Sequence, residues 1–135
     1  MNFQTSVQTV LSRFAVFEGR ASRSELWYWI LALALVGTVT SLIDGLLVAP
    51  ILGFERFSPE AGEPLQMLFT LVIFLPTLAV EVRRLHDIDR SGWWVLLGLA
   101  PIIGGLVLLW WYTRPSTDGD NQYGPSPHAV SPVSD

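Results

Sequence analysis

Apolar residues are gathered into three long runs that short polar segments separate. The runs cover residues 26–48, 65–82 and 93–112. Each approaches or exceeds the ~18 apolar residues typical of a bilayer-spanning helix. At about 1.5 Å per residue, the first run would reach roughly 35 Å. A cleavable signal ending at Ala49 is the alternative for that run, although its apolar core would exceed the usual length of about 15 residues. The pattern predicts an all-α membrane protein with three transmembrane helices.

A shorter amphipathic pattern precedes the first run. Phe3, Val7, Leu11 and Phe14 recur at three- and four-residue spacing, with Val10 beside them. This spacing predicts a helix with a single apolar stripe. Such an N-terminal amphipathic helix would lie in the membrane interface. Packing of the helix against the protein's own polar turn is the alternative.

The start of the first span has a recognisable cap. Ser22 is followed three residues later by Glu25, a spacing in which the hydroxyl and the carboxylate each satisfy a free amide at a helix start. We therefore expect a helix to begin near Arg23.

A stripe of small residues lies within the first span. Gly37, Ser41 and Gly45 recur every four residues and would let another helix approach closely in lipid. Asp44, an intramembrane acid, lies next to this stripe near the far interface. It is interpreted either as a capping or snorkelling carboxylate, or as the ion or proton site of a subunit in an oligomeric transporter or channel.

Proline and glycine mark the remaining boundaries. Residues 49–64 contain three prolines and two glycines, which predicts a loop, and Pro76 predicts a kink in the second span. After Arg114 the chain becomes polar and rich in proline and glycine, which predicts a disordered C-terminal tail. The expected organisation is one helical membrane domain, residues 1–114, followed by a flexible polar tail, residues 115–135.

Composition narrows the chemistry. Half of the 135 residues are hydrophobic, 15% are charged, and no cysteine is present. There is therefore no disulfide framework and no thiolate metal site. All eight basic residues are arginine and the net charge is −4, so an extended basic face for nucleic acid is not expected. We expect no metal, no cofactor and no nucleic-acid partner.

The arginines predict an orientation. With three spans, residues 1–25 and the turn at residues 83–92 share one side of the membrane. Six arginines lie on that side: Arg13, Arg20, Arg23, Arg83, Arg84 and Arg90. Only Arg56 and Arg114 lie on the other. Because basic segments stay in the cytoplasm, the N-terminus is predicted to be cytoplasmic and the C-terminus periplasmic.

The polar turn between the second and third runs is the main candidate site. Three spans bring it to the same leaflet as the polar segment before the first span. The candidate cluster consists of Arg20, Arg23, Glu25, Arg83, Arg84, His86, Asp87, Arg90, Ser91, Trp93 and Trp94. Within it, Arg83 or Arg84 is predicted to bond Glu25, and Asp87 to tie the turn to Arg90 or Arg23.

Three interpretations of this cluster are open. It is a structural helix stop and cap, or an enzyme site, or a site for anionic lipid headgroups or another anionic ligand. The anionic site would be made by Arg20, Arg23, Arg83, Arg84 and Arg90. An enzyme would need His86 as a base, Asp87 or Asp89 as its partner, and Ser22 or Ser91 as a nucleophile. Adjacent residues on a turn rarely supply that geometry, so catalysis is not expected. The expected partners are the lipid bilayer, including anionic lipids, and a second copy or another membrane protein.

The order of the motifs resembles the domain-of-unknown-function 805 family over about residues 15–127. The matching residues are Phe17-x-Gly19-Arg20-Ala21-Ser22-Arg23-x-Glu25-x-Trp27, then Pro76, then Arg83-Arg84-Leu85-His86-Asp87-x-x-Arg90-Ser91-Gly92-Trp93-Trp94, and Asn121-x-Tyr123-Gly124-Pro125. Asp44 also falls where members carry an acid, whereas Glu81 departs from the family pattern. The resemblance implies a small bacterial inner-membrane protein. It supplies no reaction, because the family's activity is uncharacterised.

Overall fold

The computed structural model describes residues 2–128, which are helical apart from loops and one isolated bridge between Asn121 and Gly124. The α-helices are α1 (Phe3–Ser12), α2 (Arg23–Ile43), α3 (Ala49–Ile51), α4 (Pro64–Asp87) and α5 (Ile103–Tyr112). A π-helical turn, Asp44–Val48, joins α2 to α3, and 3-10 turns cover Pro59–Ala61 and Gly92–Leu99. The all-helical prediction is confirmed in this range. Residues 129–135, the end of the predicted tail, lie outside the described residues.

Two helical stretches are long and apolar enough to cross a membrane. They are Arg23–Ile51, with 29 residues, and Pro64–Asp87, with 24. Their lengths correspond to about 43 and 36 Å, against roughly 30 Å of hydrocarbon. They contain the predicted spans at residues 26–48 and 65–82.

The start of α2 at Arg23 agrees with the prediction, but only half of the capping box forms. The Glu25 amide donates to the Ser22 hydroxyl oxygen over 3.2 Å. The Glu25 carboxylate instead accepts a bond from Arg83. A charged partner is thus preferred over a local backbone amide, because bonds between ionised groups are the stronger ones.

The described chain divides into two compact units, Ile30–Leu75 and the combination of residues 2–29 with residues 76–128. In the Ile30–Leu75 unit the small-residue stripe of α2 faces α4 and the residue before it. A side-chain carbon at Gly37 would lie 3.5 Å from the Phe69 ring, and the Ser41 hydroxyl donates to Glu63 over 2.9 Å. The prediction that the stripe faces another helix is confirmed for Gly37, whereas Ser41 bonds the residue before α4 and Gly45 faces a loop aromatic ring.

In the other unit, α1 packs on the beginning of α2. The Ser6 hydroxyl donates to the Ser24 carbonyl over 3.4 Å, and the Phe3 and Tyr28 rings meet edge to face at 6.0 Å. Val10, beside the predicted stripe, is fully buried, whereas Phe3, Leu11 and Phe14 of the stripe itself are exposed. The helix is present, and its position in a membrane interface stays a prediction.

Residues 92–112 form an antiparallel hairpin, named here the 92–112 hairpin, in which the 3-10 turn Gly92–Leu99 packs against α5. The Trp94 and Trp111 rings meet at 5.6 Å. Further along, Gly104 packs so closely on the Leu97 carbonyl that a side-chain carbon there would overlap it. Trp94 pairs with Trp111, and Leu97 pairs with Gly104. Since the partners come closer together in the sequence along the hairpin, the chain reverses its direction between residues 97 and 104.

The reversal occurs at Ile102. Its φ of 63° is unusual for a β-branched residue, and the Ile103 amide donates to the Pro101 carbonyl two residues earlier over 2.6 Å, which closes a γ-turn. The prediction of one continuous transmembrane helix over residues 93–112 is therefore wrong. The two ends of the 92–112 hairpin lie at the same end of the unit.

The prediction of a disordered tail is wrong for residues 116–124. The Thr117 amide donates to the Asp87 carbonyl over 3.0 Å, and the Asn121 side chain donates to the His86 carbonyl over 2.9 Å. The last carbonyls of a helix have no partner within the helix, and these tail residues satisfy two of them. The contacts also place this part of the tail beside the turn at residues 83–92, from which the three-span prediction had separated it by a membrane span.

Candidate functional site

Asp87, the last residue of α4, is the centre of a buried charge network. Its side chain is completely buried. One carboxylate oxygen accepts from Arg20 Nε over 2.9 Å. The other accepts from Arg84 and from the Ser116 hydroxyl. One carboxylate thus joins the segment before α2, the end of α4 and the tail.

The predicted partners of Asp87, Arg90 and Arg23, are wrong. Both side chains point outward. Arg23 donates to the Thr113 carbonyl over 3.1 Å, and the Arg90 guanidinium lies 4.3 Å from the centre of the Trp111 ring. Arg20 and Arg84 bind Asp87 instead. Both side chains are buried in this unit, where an arginine charge without a carboxylate partner would cost free energy.

Arg20 uses all three side-chain nitrogens. Besides Asp87, it donates to the Gly119 carbonyl over 2.6 Å, to the Gly124 carbonyl over 3.3 Å and to the Thr117 carbonyl over 2.8 Å. A planar guanidinium can satisfy acceptors in several fixed directions at once, which an ammonium group cannot. Arg20 therefore fastens the tail loop to the end of α4.

Arg84 likewise binds backbone carbonyls, in the segment before α2, at the end of α5 and at the beginning of the tail. It donates to the carbonyls of Ala21 over 3.3 Å and Tyr112 over 3.4 Å, and to the carbonyl of Arg114. The start of α2, the end of α5 and the beginning of the tail are thus tied to one side chain. Because Arg84 lies three residues before the end of α4, it links the spans to the 92–112 hairpin.

A second ion pair lies one residue away. Arg83 Nη1 donates to Glu25 Oε1 over 2.6 Å, with both side chains buried. The prediction that Arg83 or Arg84 bonds Glu25 is confirmed for Arg83. The Nε and Nη2 atoms of Arg83 have no hydrogen-bond partner among residues 2–128.

The buried network carries more positive than negative charge. Three guanidinium groups, of Arg20, Arg83 and Arg84, face two carboxylates, of Glu25 and Asp87. Backbone carbonyl dipoles offset part of the excess. Because these three arginines are buried and bonded, their role is to fix the fold of the polar end, and they are not available to a headgroup.

His86 is held by two contacts. Its Nδ1 atom lies 2.9 Å from the Gly19 carbonyl oxygen, and since a carbonyl only accepts, Nδ1 carries the proton. The ring stacks on Tyr123 with 4.0 Å between centroids and 3° between planes. The Asp87 carboxylate bonds elsewhere, so within residues 2–128 the two do not form the hydrogen-bonded acid–base pair that catalysis would need.

The last three members of the predicted cluster shape the entry to the 92–112 hairpin. The Ser91 hydroxyl oxygen accepts from the Trp93 amide over 3.3 Å and caps the 3-10 turn, as predicted for Ser91 as a cap. Trp93 is 79% exposed and Trp94 45%. Exposed indole rings at the end of a membrane segment are typical of the interfacial region.

Asp44 occupies a separate place, in the Ile30–Leu75 unit. Its two carboxylate oxygens accept from the backbone amides of Leu65 over 3.0 Å and Gln66 over 2.7 Å. These amides are in the first turn of α4, where no acceptor exists within the helix, and a negative charge there is also favoured by the helix dipole. The geometry supports the capping interpretation of this acid.

Sequence reasoning missed the tail residues Ser116, Thr117 and Asn121 as members of the network. A signal was present, since Asn121-x-Tyr123-Gly124-Pro125 was one of the motifs behind the family resemblance. The acceptors that the tail supplies to Arg20 are mostly backbone carbonyls, which every residue type carries, so composition alone could not identify them.

These features define an α-helical integral membrane protein whose polar end is closed by a buried arginine–carboxylate network. The chain matches the family described as "Protein of unknown function (DUF805)" over residues 14–125. It therefore belongs to the DUF805 family, which confirms the resemblance in the sequence.

The relatives add the location. The chain is 44% identical over 119 residues to the inner membrane protein YhaI of Escherichia coli (strain K12), covering 88% of this chain and 92% of that protein. It is 40% identical over 118 residues to the inner membrane protein YhaH of the same organism, covering 87% and 92%. No solved structure matches the chain. Family, relatives and long apolar helices together identify a protein of the bacterial inner membrane.

Proposed function

We propose that the protein is a non-enzymatic interaction module of the inner membrane whose exposed arginines and tryptophans bind anionic lipid headgroups on the cytoplasmic side. The observation that carries this proposal is a pair of exposed guanidinium groups resting on neighbouring indole rings. Arg90 lies 4.3 Å from the Trp111 centroid, and Arg114 lies 4.7 Å from the Trp110 centroid.

The proposal rests on a topology with two crossings. Arg23–Ile51 and Pro64–Asp87 cross the bilayer, and the 92–112 hairpin enters and leaves by the same leaflet. Seven of the eight arginines then lie on one side: Arg13, Arg20, Arg23, Arg83, Arg84, Arg90 and Arg114. Arg56 is alone on the other. This distribution favours a cytoplasmic position for residues 1–22 and 88–128 more strongly than three crossings would.

Burial then decides which arginines are free for a ligand. Arg20, Arg83 and Arg84 are enclosed in the network, whereas the side chains of Arg90 and Arg114 make no hydrogen bond within residues 2–128 and are exposed. Stacking on an indole uses the face of a guanidinium. The N–H groups at its edge remain directed outward, where they match the paired oxygens of a phosphate.

The surrounding surface suits a headgroup site. Trp110 is 56% exposed and next to a guanidinium, and indole rings prefer the headgroup region of a bilayer. Arg23, fixed on the Thr113 carbonyl, adds a third cation beside the end of α5. Each cation near the surface contributes about 1 kcal/mol towards acidic lipid.

The experiment is native mass spectrometry of the full-length protein with phosphatidylglycerol and phosphatidylethanolamine. The parent protein should retain phosphatidylglycerol preferentially. The double variant Arg90→Gln/Arg114→Gln should bind it roughly thirtyfold more weakly, because two contributions of about 1 kcal/mol are lost.

Arg56→Gln is the matched control, since Arg56 is also exposed but lies in the loop between the spans. It should bind phosphatidylglycerol like the parent. Equal retention of the two lipids by the parent, or unchanged binding by the double variant, would refute the proposed function.

A further inference from the structure

A cavity with apolar walls lies between α4, the start of the 92–112 hairpin and the segment before α2. Its volume is about 420 Å³, within the ~300–1000 Å³ typical of small-molecule sites. Phe17, Leu78, Val82 and Leu96 line its apolar part. His86 and Ser91 add polar side chains, and the Trp93 indole also belongs to the lining. Neither the buried network nor the exposed arginines use this space.

The contacts of His86 fix which of its atoms is left for a ligand. Nδ1 donates to the Gly19 carbonyl and one ring face covers Tyr123. The remaining nitrogen, Nε2, is directed towards Gly92, where a side-chain carbon would lie 3.4 Å from it and 2.6 Å from Val82. Glycine at this position therefore keeps the space beside Nε2 open.

Ser91 provides the second polar group. Its oxygen accepts from the Trp93 amide, which leaves the hydroxyl hydrogen free to donate. A carboxyl group is chemically complementary to these two groups, which line the same cavity. One of its oxygens accepts from the Ser91 hydroxyl. The other donates its proton to the Nε2 lone pair, or, after the proton has moved to the imidazole, accepts from Nε2–H. The same single proton is shared in both forms.

The charge of the neighbouring network favours a ligand with a carboxylate head group over a ligand with a neutral one. His86 lies next to Asp87 in α4 and bonds the residue before Arg20, so it adjoins the network in which three guanidinium groups face two carboxylates. An anion at Nε2 would compensate that excess. Because the rest of the cavity is apolar, and α4 and the 92–112 hairpin belong to the membrane part of the chain, the ligand needs a hydrocarbon chain. We infer that this cavity binds a free fatty acid, with its carboxylate on His86 and Ser91 and its chain along Val82 and Leu96.

The test uses the full-length protein in phosphatidylcholine nanodiscs and a fatty acid that carries a diazirine photolabel. Dodecanoic acid should compete with the labelling, whereas methyl dodecanoate and dodecanol should compete about tenfold less well, since they lack the carboxylate. The labelled peptides should contain residues 78–82 or 93–96. Equal competition by acid and ester would mean that the cavity holds any acyl chain, which overturns the proposal.

Variants separate the head from the chain. Leu96→Trp fills the cavity and should abolish specific labelling, whereas Leu99→Trp, at a position 82% exposed and outside the cavity, should label like the parent. His86→Asn keeps a donor for the Gly19 carbonyl but lacks Nε2. It should bind the acid about tenfold more weakly and the ester unchanged.

Thermal unfolding of each variant checks that it is folded. If Leu96→Trp unfolds, the comparison of acid with ester on the parent and on His86→Asn decides alone. Labelling of folded Leu96→Trp at the parent level, or an unaltered preference for acid in His86→Asn, would refute the site.

Discussion

Arg20 and Arg83 show how differently two buried arginines in one unit can be used. Arg20 donates through three nitrogens to a carboxylate and several carbonyls, whereas Arg83 bonds a single carboxylate oxygen through one nitrogen within residues 2–128. Whether a buried position needs the planar guanidinium group therefore depends on the acceptors around it and not on burial alone.

Lysine substitutions at Arg20 and Arg83 should differ in their effect on stability. Arg20→Lys is expected to lower the free energy of unfolding by about 2–4 kcal/mol, since several charged hydrogen bonds worth about 1.5–3 kcal/mol each cannot be made by one ammonium group. Arg83→Lys retains its single bond and should cost less than about 1 kcal/mol. The measurement is thermal unfolding in mild detergent, and equal losses at both positions would contradict this account.

Asp87 is the residue whose loss should be most severe. Asp87→Asn leaves the Arg20 and Arg84 charges buried without compensation and should cost about 3–5 kcal/mol. Asp89→Asn, two residues further at an exposed position where the carboxylate bonds only Gln122 within residues 2–128, should cost about 0–1 kcal/mol. Unfolding of both variants under one set of conditions provides the comparison. If Asp87→Asn were as stable as Asp89→Asn, the network would not be what closes the polar end.

The pair of Glu25 and Arg83 was predictable because hydropathy placed both residues at the ends of neighbouring spans. A double-mutant cycle with Glu25→Gln and Arg83→Gln should give a coupling energy of about 1–3 kcal/mol, as contacting buried charges do. The same cycle with Arg90→Gln in place of Arg83→Gln should be additive, because Arg90 is exposed and stacks on Trp111. Additive losses in the first cycle would show that the ion pair contributes nothing specific.

At the scale of elements, the 92–112 hairpin is the main departure from the expected architecture. Its apolar composition matches a transmembrane helix, but Pro101 removes a backbone donor and Ile102 reverses the chain. The hairpin then closes through contacts of Gly104 with the backbone of the 3-10 turn. A hydropathy window averages over such a reversal and cannot detect it.

Two adjacent glycines provide a matched test of the 92–112 hairpin. A methyl group at Gly104 would overlap the Leu97 carbonyl, whereas at Gly105 it would meet nothing within 4 Å. Gly104→Ala should therefore destabilise the protein by about 1–3 kcal/mol or more, and Gly105→Ala should be neutral or slightly stabilising because alanine favours a helix. Thermal unfolding gives both values. A continuous helix over residues 93–112 would predict similar, small effects at the two positions.

At the scale of the whole molecule, the number of membrane crossings determines which polar segments meet. With the two crossings proposed above, the segment before α2, the end of α4 and residues 113–124 share one side, which agrees with the bonds of Arg20 and Arg84 to all three. A third crossing would carry the tail away from both arginines.

Single cysteines can test this topology directly, since the natural chain contains none. In inverted and right-side-out vesicles, a membrane-impermeant maleimide should label Asp120→Cys and Asp89→Cys from the same, cytoplasmic side. Ser58→Cys, in the loop between the spans, should be labelled from the periplasmic side. Labelling of Asp120→Cys together with Ser58→Cys would restore the three-span topology.

Hydropathy and cap chemistry by themselves determined the helical class, the two long spans, the start of α2 at Arg23 and the small-residue stripe at Gly37 and Ser41. These are local properties, because a backbone in lipid must satisfy its hydrogen bonds within one helix. The pairing of Glu25 with either Arg83 or Arg84 followed from the same reasoning, since span lengths set the depth of each end, and the structure selected Arg83.

Only the tertiary structure decided that the 92–112 hairpin turns back, that Asp87 binds Arg20 and Arg84, and that the tail is ordered through residue 124. The physical reason lies in sequence separation and in the nature of the acceptors. Arg20 bonds the carbonyl of Gly119, which is 99 positions away, and a carbonyl is present at every residue. No pattern along the chain distinguishes the carbonyl that is used from those that are not, so the closure of this site is a property of the folded molecule.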